Sequence, residues 1–147
     1  TPGINTFHPG RGLHPICFCC GADHEDGLGV FAAPVQGAEQ VAAVWQTEDA
    51  WGVEAQLPER FIWAALDCPG QFAFMAGGIR TGMLGRMTAE VGCLAPAGAS
   101  YIITGWRAGV EGKKHFAGTA MFDMKGQRIA RALSVWIGRR DPDSVPE

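Results

Sequence analysis

No apolar run in this 147-residue chain is long enough to cross a bilayer, and its first residues lack the charged-then-apolar pattern of a secretory signal. Charge is sparse: 18% of residues are charged against 47% apolar, which excludes a disordered chain. No basic run with interleaved aromatics occurs, so nucleic acid is not an expected partner. The cysteines number five, an odd count that argues against a secreted disulfide framework. A reducing cytoplasm is the simpler home. What remains is the expectation of one cytoplasmic domain with no membrane partner, large enough to hold a proper core.

Glycine (21) and proline (9) are plentiful and point to a turn-rich, strand-rich chain. The net charge of −3 hides an asymmetry. Residues 1–79 carry two basic and nine acidic side chains, and residues 80–147 carry ten basic and six acidic ones. The basic half suits an anionic ligand such as a polyphosphate, or simply supplies the solvated faces of alternating strands.

The stretch Pro58–Ala76 organises the rest. Phe61, Ala65, Cys68, Phe72 and Met75 follow the three- and four-residue steps of one helical face, and Ile62, Trp63, Ala64, Leu66 and Phe74 make the opposite face apolar as well. A helix apolar all round is expected to be enclosed by protein. One carboxylate, Asp67, sits inside it, costly to ionise unless hydrogen-bonded or put to use. Pro69 lacks an N–H for Ala65 and crowds its carbonyl, so a kink or break is expected near Asp67. Asp67 is then either the N-cap of a second helical half or a functional acid, and the two roles are compatible.

Ahead of this helix, residues 1–26 read as an irregular arm. Its Cys17 and Cys20 have the CxxC spacing, flanked by His14 and His24, a set that can complete a tetrahedral zinc site or pack as small hydrophobes. Redox chemistry at the CxxC is a third option, without a thioredoxin-like βαβ context after it. Gly27–Val35 and Gln40–Thr47 read as strands. Beyond the helix a four-stranded antiparallel meander is expected. Arg86, Thr88, Glu90 and Gly92 alternate with Met87, Ala89, Val91 and Cys93. Residues 95–99 form a turn, and Tyr101–Val110 and Lys114–Asp123 follow, with a hairpin at Glu111-Gly112 and another at Lys125-Gly126. Arg128–Ile137 closes the set, with Ile129, Leu133, Val135 and Ile137 on one side. The domain is expected to span 27–138, with 139–147 a frayed tail. This is an α+β layer, an antiparallel sheet rolled over one long helix, whose exposed edge invites a second copy.

FIWAALDCPG in the helix, VGCLAPAGASYIITGW and FAGTAMFDMKGQRIARALSVWI in the sheet together resemble the hotdog-fold acyl-CoA thioesterase superfamily, of the PaaI-like and 4-hydroxybenzoyl-CoA thioesterase-like kind. The CFCCG…GLGV start resembles a subgroup with an N-terminal CxxCG arm. The resemblance implies a hydrolase for an acyl- or aryl-CoA thioester, acting as a homodimer or a dimer of dimers (a homotetramer). It implies no resident cofactor, coenzyme A entering as part of the substrate. Asp67 matches the acid that serves as general base or nucleophile. Glu59 matches the helix start whose backbone N–H, usually from the neighbouring subunit, holds the oxyanion.

There are departures from the pattern. Many relatives have His-Gly-Gly where this chain has Pro58, Glu59 and Arg60, and glycines permit closer backbone approach to a ligand. No histidine lies near Asp67, against the hydratase branch of the fold. Gln71, one turn on, can position a water or the thioester, or satisfy its amide on local backbone. Arg86, Lys113 and Lys114 are the candidates for the coenzyme A phosphates, and Trp63 for an acyl or aryl pocket with the phenylalanines. The alternative is a non-catalytic acyl-CoA or small-molecule binding protein on the same scaffold.

Overall fold

The computed structural model describes residues 29–30, 32–35 and 40–140. The arm of residues 1–26, with His14, Cys17, Cys20 and His24, lies outside the described residues. Strands β1 (Ala33–Pro34) and β2 (Gln40–Gln46) come first, then helices α1 (Glu59–Ala65) and α2 (Cys68–Met75). Four strands follow: β3 (Arg80–Val91), β4 (Ser100–Glu111), β5 (Lys114–Asp123) and β6 (Arg128–Arg140).

The helical stretch is broken where Pro69 predicts. Leu66 and Asp67 form a turn, and Pro69 sits in the first turn of α2. All eight residues of α2 are buried. Phe72 and Phe74 have no exposed surface, and burial of such a side chain is worth roughly 1.5–3 kcal/mol. The expectation of an all-round buried rod holds for α2 but not for α1. Glu59, Arg60 and Trp63 of α1 are exposed, because nothing in a single chain covers that side.

The six strands form one antiparallel sheet in the order β1-β2-β4-β5-β6-β3. This corrects the expected four-strand meander. Of the four strands after the helices, only β4, β5 and β6 pair in sequence order. β3 leaves α2 and pairs with β6 at the far edge, from Arg80↔Arg140 to Val91↔Ala130. Residues 95–99 are therefore not a hairpin turn. They carry the chain back across the helix entrance, with Leu57 N–H donating to Ala95 O (2.8 Å) and Ala97 N–H to Ala55 O (2.9 Å).

The inner face of the sheet holds Val41, Ala43, Trp45, Tyr101, Ile103, Ala117, Thr119 and Met121, all buried. Ala130, Ala132, Ser134 and Trp136 of β6 are buried too. The set expected on one side of β6 divides: Ile129 is buried, while Leu133 and Ile137 are exposed on the outer face. A Cβ added to Gly70 would stand 2.9 Å from Ser134 Oγ and 3.1 Å from Ala117 Cβ, so the helix backbone lies close against the sheet there. Gly105 of β4 serves the same approach, since a Cβ there would meet Pro69 O at 2.5 Å.

Candidate active site

Asp67 is positioned by the break between the two helices. In an unbroken helix Leu66 O would accept from Gly70 N–H, but Gly70 N–H turns to Asp67 O instead (3.2 Å), and Asp67 N–H donates to Ala64 O (3.3 Å). The displaced Leu66 carbonyl is taken by a buried side chain from the sheet: Thr119 Oγ1 donates to it at 2.9 Å. The break is thus hydrogen-bonded to β5, and Asp67 is held at the N-cap position of α2. Its side chain makes no capping hydrogen bond there. It is half-buried, not sealed, among helices that carry no other acid except the exposed Glu59.

Gln71 is one turn further on and buried. Its amide Nε2 donates to Thr81 Oγ1 and to Gly82 O, each at 3.1 Å, and so ties α2 to the start of β3. The acceptors belong to another element rather than to local backbone, as the sequence alternative had it. Trp63 lies one turn before Asp67 on the open side of α1, 38% exposed. Around the same helix an aromatic column covers the entrance. Arg60 lies over Phe61 (5.3 Å), which stacks on Trp51 (5.4 Å), which stacks on Trp45 (6.2 Å).

Glu59 opens α1 directly after Pro58, with no side-chain cap, and borders a cavity of about 230 Å³ shared with Leu57, Ile62, Val91, Cys93 and Leu94. Eight residues of rise separate Glu59 from Asp67, about 12 Å along the axis. One chain therefore does not bring its own helix start to its own acid. Arg86 pairs with Val135 on the outer face of the sheet, and Lys114 pairs with Ile137 on the same face, beside Lys113 in the β4–β5 turn. These cations share one corner of the convex side, away from the helix.

Two features were not read from the sequence. Thr119 is one. The other is His115, fully buried on the inner face of β5, with neither ring nitrogen hydrogen-bonded. Its ring meets Phe74 edge-on at 5.1 Å. A histidine flanked by Lys114 and Phe116 on a strand has no sequence mark that separates it from a solvated one. Among the described residues, no group of three or more His, Cys, Asp or Glu side chains is placed to hold a metal ion. No helix among them is long and apolar enough to cross a membrane.

No protein-family model matches the sequence, and no curated protein does. Solved structures do match the fold. A thioesterase superfamily protein superposes with a TM-score of 0.77 at 16% identity, over 87% of this chain and 66% of that one. Streptococcus mutans smu.793, bound to acetyl CoA, superposes at 0.65 and 12% identity, over 75% and 90% of the two chains. The E. coli PaaI protein, from the phenylacetic acid degradation operon, superposes at 0.66 and 9% identity, over 75% and 83%. The class is thereby defined: a six-stranded antiparallel sheet around a central helical segment, the hotdog fold of thioesterase-superfamily structures.

Proposed function

We propose that this chain is a thioesterase acting on an acyl- or aryl-CoA thioester, with Asp67 as the general base that activates water, or as the nucleophile itself. One observation carries the reading: the acid interrupts an otherwise apolar helical segment at a break that Thr119 hydrogen-bonds to the sheet, and its side chain does not serve as the cap. In the general-base form, water adds to the thioester carbonyl as Asp67 takes its proton. The C–S bond then breaks, the thiolate leaves and is protonated, and a carboxylic acid and free coenzyme A result. The acetyl CoA bound by the S. mutans neighbour supports a coenzyme A thioester as the ligand class.

In this reading the site is completed by a second copy. The oxyanion is held by the backbone N–H near Glu59 of a neighbouring subunit, because the two half-sites stand about 12 Å apart on one chain. The edge strand β3 offers its unpaired backbone to the same strand of that copy. Arg86, Lys113 and Lys114 contribute to phosphate binding only by reaching such a shared site, since they lie on the opposite sheet face from Asp67. Gln71 orients the site from beneath through its ties to β3, and Trp63 provides an apolar wall.

The test is free-thiol release from a panel of acyl- and aryl-CoA thioesters, with Asp67→Asn beside the native chain. We expect hydrolysis of at least one thioester and a loss of about 10²–10⁴-fold in kcat for the variant. Hydrolysis undiminished in Asp67→Asn would remove Asp67 from the chemistry. Saturable binding of a coenzyme A analogue without turnover by the native chain would make this a binding protein on the same scaffold.

A further inference from the structure

At the far end of α2, one side of the molecule opens into a cavity of about 360 Å³ lined by Phe74, Ile79, Arg107, Ala108, Gly109 and Val110. It is separate from Asp67, which lies seven residues back along the helix, about 10 Å of axial rise.

Three features of different kind meet there. The first is a bulge in β4. Arg107 pairs with Ala117 and Gly109 with Phe116, so Ala108 has no partner in the β4–β5 ladder. A bulge of this kind turns backbone polar groups out of the sheet, and bulges recur beside binding sites. The second is the guanidinium of Arg107, brought to the helix end. A Cβ on Gly77 would stand 2.9 Å from its Nη1. A guanidinium has five donors in a planar fork and matches a carboxylate in a bidentate pair.

The third is His115. It pairs across the ladder with Val110, a wall of the cavity, and packs edge-on against Phe74, another wall. The ring is fully buried and both nitrogens lack a partner. Buried side-chain nitrogens are ordinarily hydrogen-bonded, and an exception calls for a group that arrives later. Val110 is 55% exposed, so little protein packs against it.

We propose that this cavity is a binding site for a small carboxylate with an apolar body. The carboxylate pairs with Arg107, the unpaired backbone at Ala108 offers further polar contact, and the body lies against Phe74, Ile79 and Val110. Entry between Phe74 and Val110 gives His115 its missing partner, from the ligand or from a water carried with it. A cavity of this volume, at the lower end of the usual range for ligand sites, admits a ligand of one aromatic ring. The site stands whether or not the chain hydrolyses thioesters.

The experiment is a titration of the full chain with sodium benzoate, followed by calorimetry and by the nitrogen-15 shifts of the His115 ring. Benzamide, which lacks the charge, and acetate, which lacks the body, are the comparisons. We expect saturation in the millimolar range or tighter, with both comparison compounds weaker by about tenfold or more. The His115 ring shifts should move with the same midpoint. Arg107→Met and Val110→Trp should each weaken benzoate by about tenfold or more, Arg107→Lys should recover part of the loss, and Asp67→Asn should bind as the native chain does. No saturation in that range overturns the proposal. So does binding that both Arg107→Met and Val110→Trp leave unchanged, or binding that Asp67→Asn abolishes.

Discussion

Thr119 and Leu66 are joined by a buried hydrogen bond, 2.9 Å from the threonine hydroxyl to the leucine carbonyl, across fifty-three residues of sequence. It fills the vacancy left by the helix break and fixes the turn carrying Asp67 to the middle of the sheet. Thr119→Val keeps the shape and leaves the carbonyl without a donor. The expected cost is about 1–3 kcal/mol, read as a lower urea midpoint at unchanged slope. If the thioesterase reading is right, kcat falls in the same variant while KM moves little, because the acid is displaced and the substrate walls are not.

Gly105→Ala tests the close approach of α2 to β4. The added methyl would meet Pro69 O at 2.5 Å, and backbone on both sides has no flexible end to move aside. Overpacking of this kind costs about 1–3 kcal/mol. A lower melting temperature is expected, and a native-like melt would show that the helix sits further from the sheet.

His115→Phe keeps a ring of similar size against Phe74 and removes two nitrogens that have no partner. Stabilisation is expected, about 1 kcal/mol or more, or a rise of about 2–4 °C in a domain near this size. Native proteins often carry such a deficit where a ligand binds. A melting temperature that falls would mean the imidazole has a bonding role in the unliganded fold.

Tyr101 gives the pH dependence. Burial pushes its phenol above the ordinary value of 10, with the carboxylate of Asp123 adding to the rise. Its hydroxyl donates to Pro96 O at 2.6 Å. Folding therefore favours the protonated phenol, and its contribution is complete below the unfolded value and lost as pH rises through the folded one. Stability should fall above pH about 10, where the unfolded phenol ionises and the folded one still holds its proton. Tyr101→Phe should cost about 0.5–1.5 kcal/mol at neutral pH and reduce that alkaline loss, measured by urea unfolding across the range.

Much of the architecture was legible because it is written in local pattern. The alternation from Arg86 to Cys93 places Met87, Ala89 and Val91 on one side of β3, as found. Pro69 marked the helix break, because a missing N–H acts on the next turn back. Strand neighbours were not legible. Alternation specifies a face and not a partner, so nothing in residues 94–99 distinguished a hairpin from a return across the helix entrance. On β6 the alternation groups Ile129, Leu133, Val135 and Ile137 on one side, but Ile129 is buried while Leu133 and Ile137 are exposed. Under Gly70 the sheet presents Ser134 and Ala117, with the Trp136 ring nitrogen 3.4 Å from an added Cβ. Thr119 and His115 went unread for a related reason: each acquires its meaning from an element more than thirty residues away.

The position of β3 has a consequence for how the domain assembles. Its ladder partner is β6, some forty to sixty residues downstream, so the strand leaving α2 has no bed to lie in until β6 has been synthesised. Pairings of such long separation are slow to close. During translation the helices wait with one flank bare, and a nascent chain halted before Arg128 is the species that a chaperone would meet.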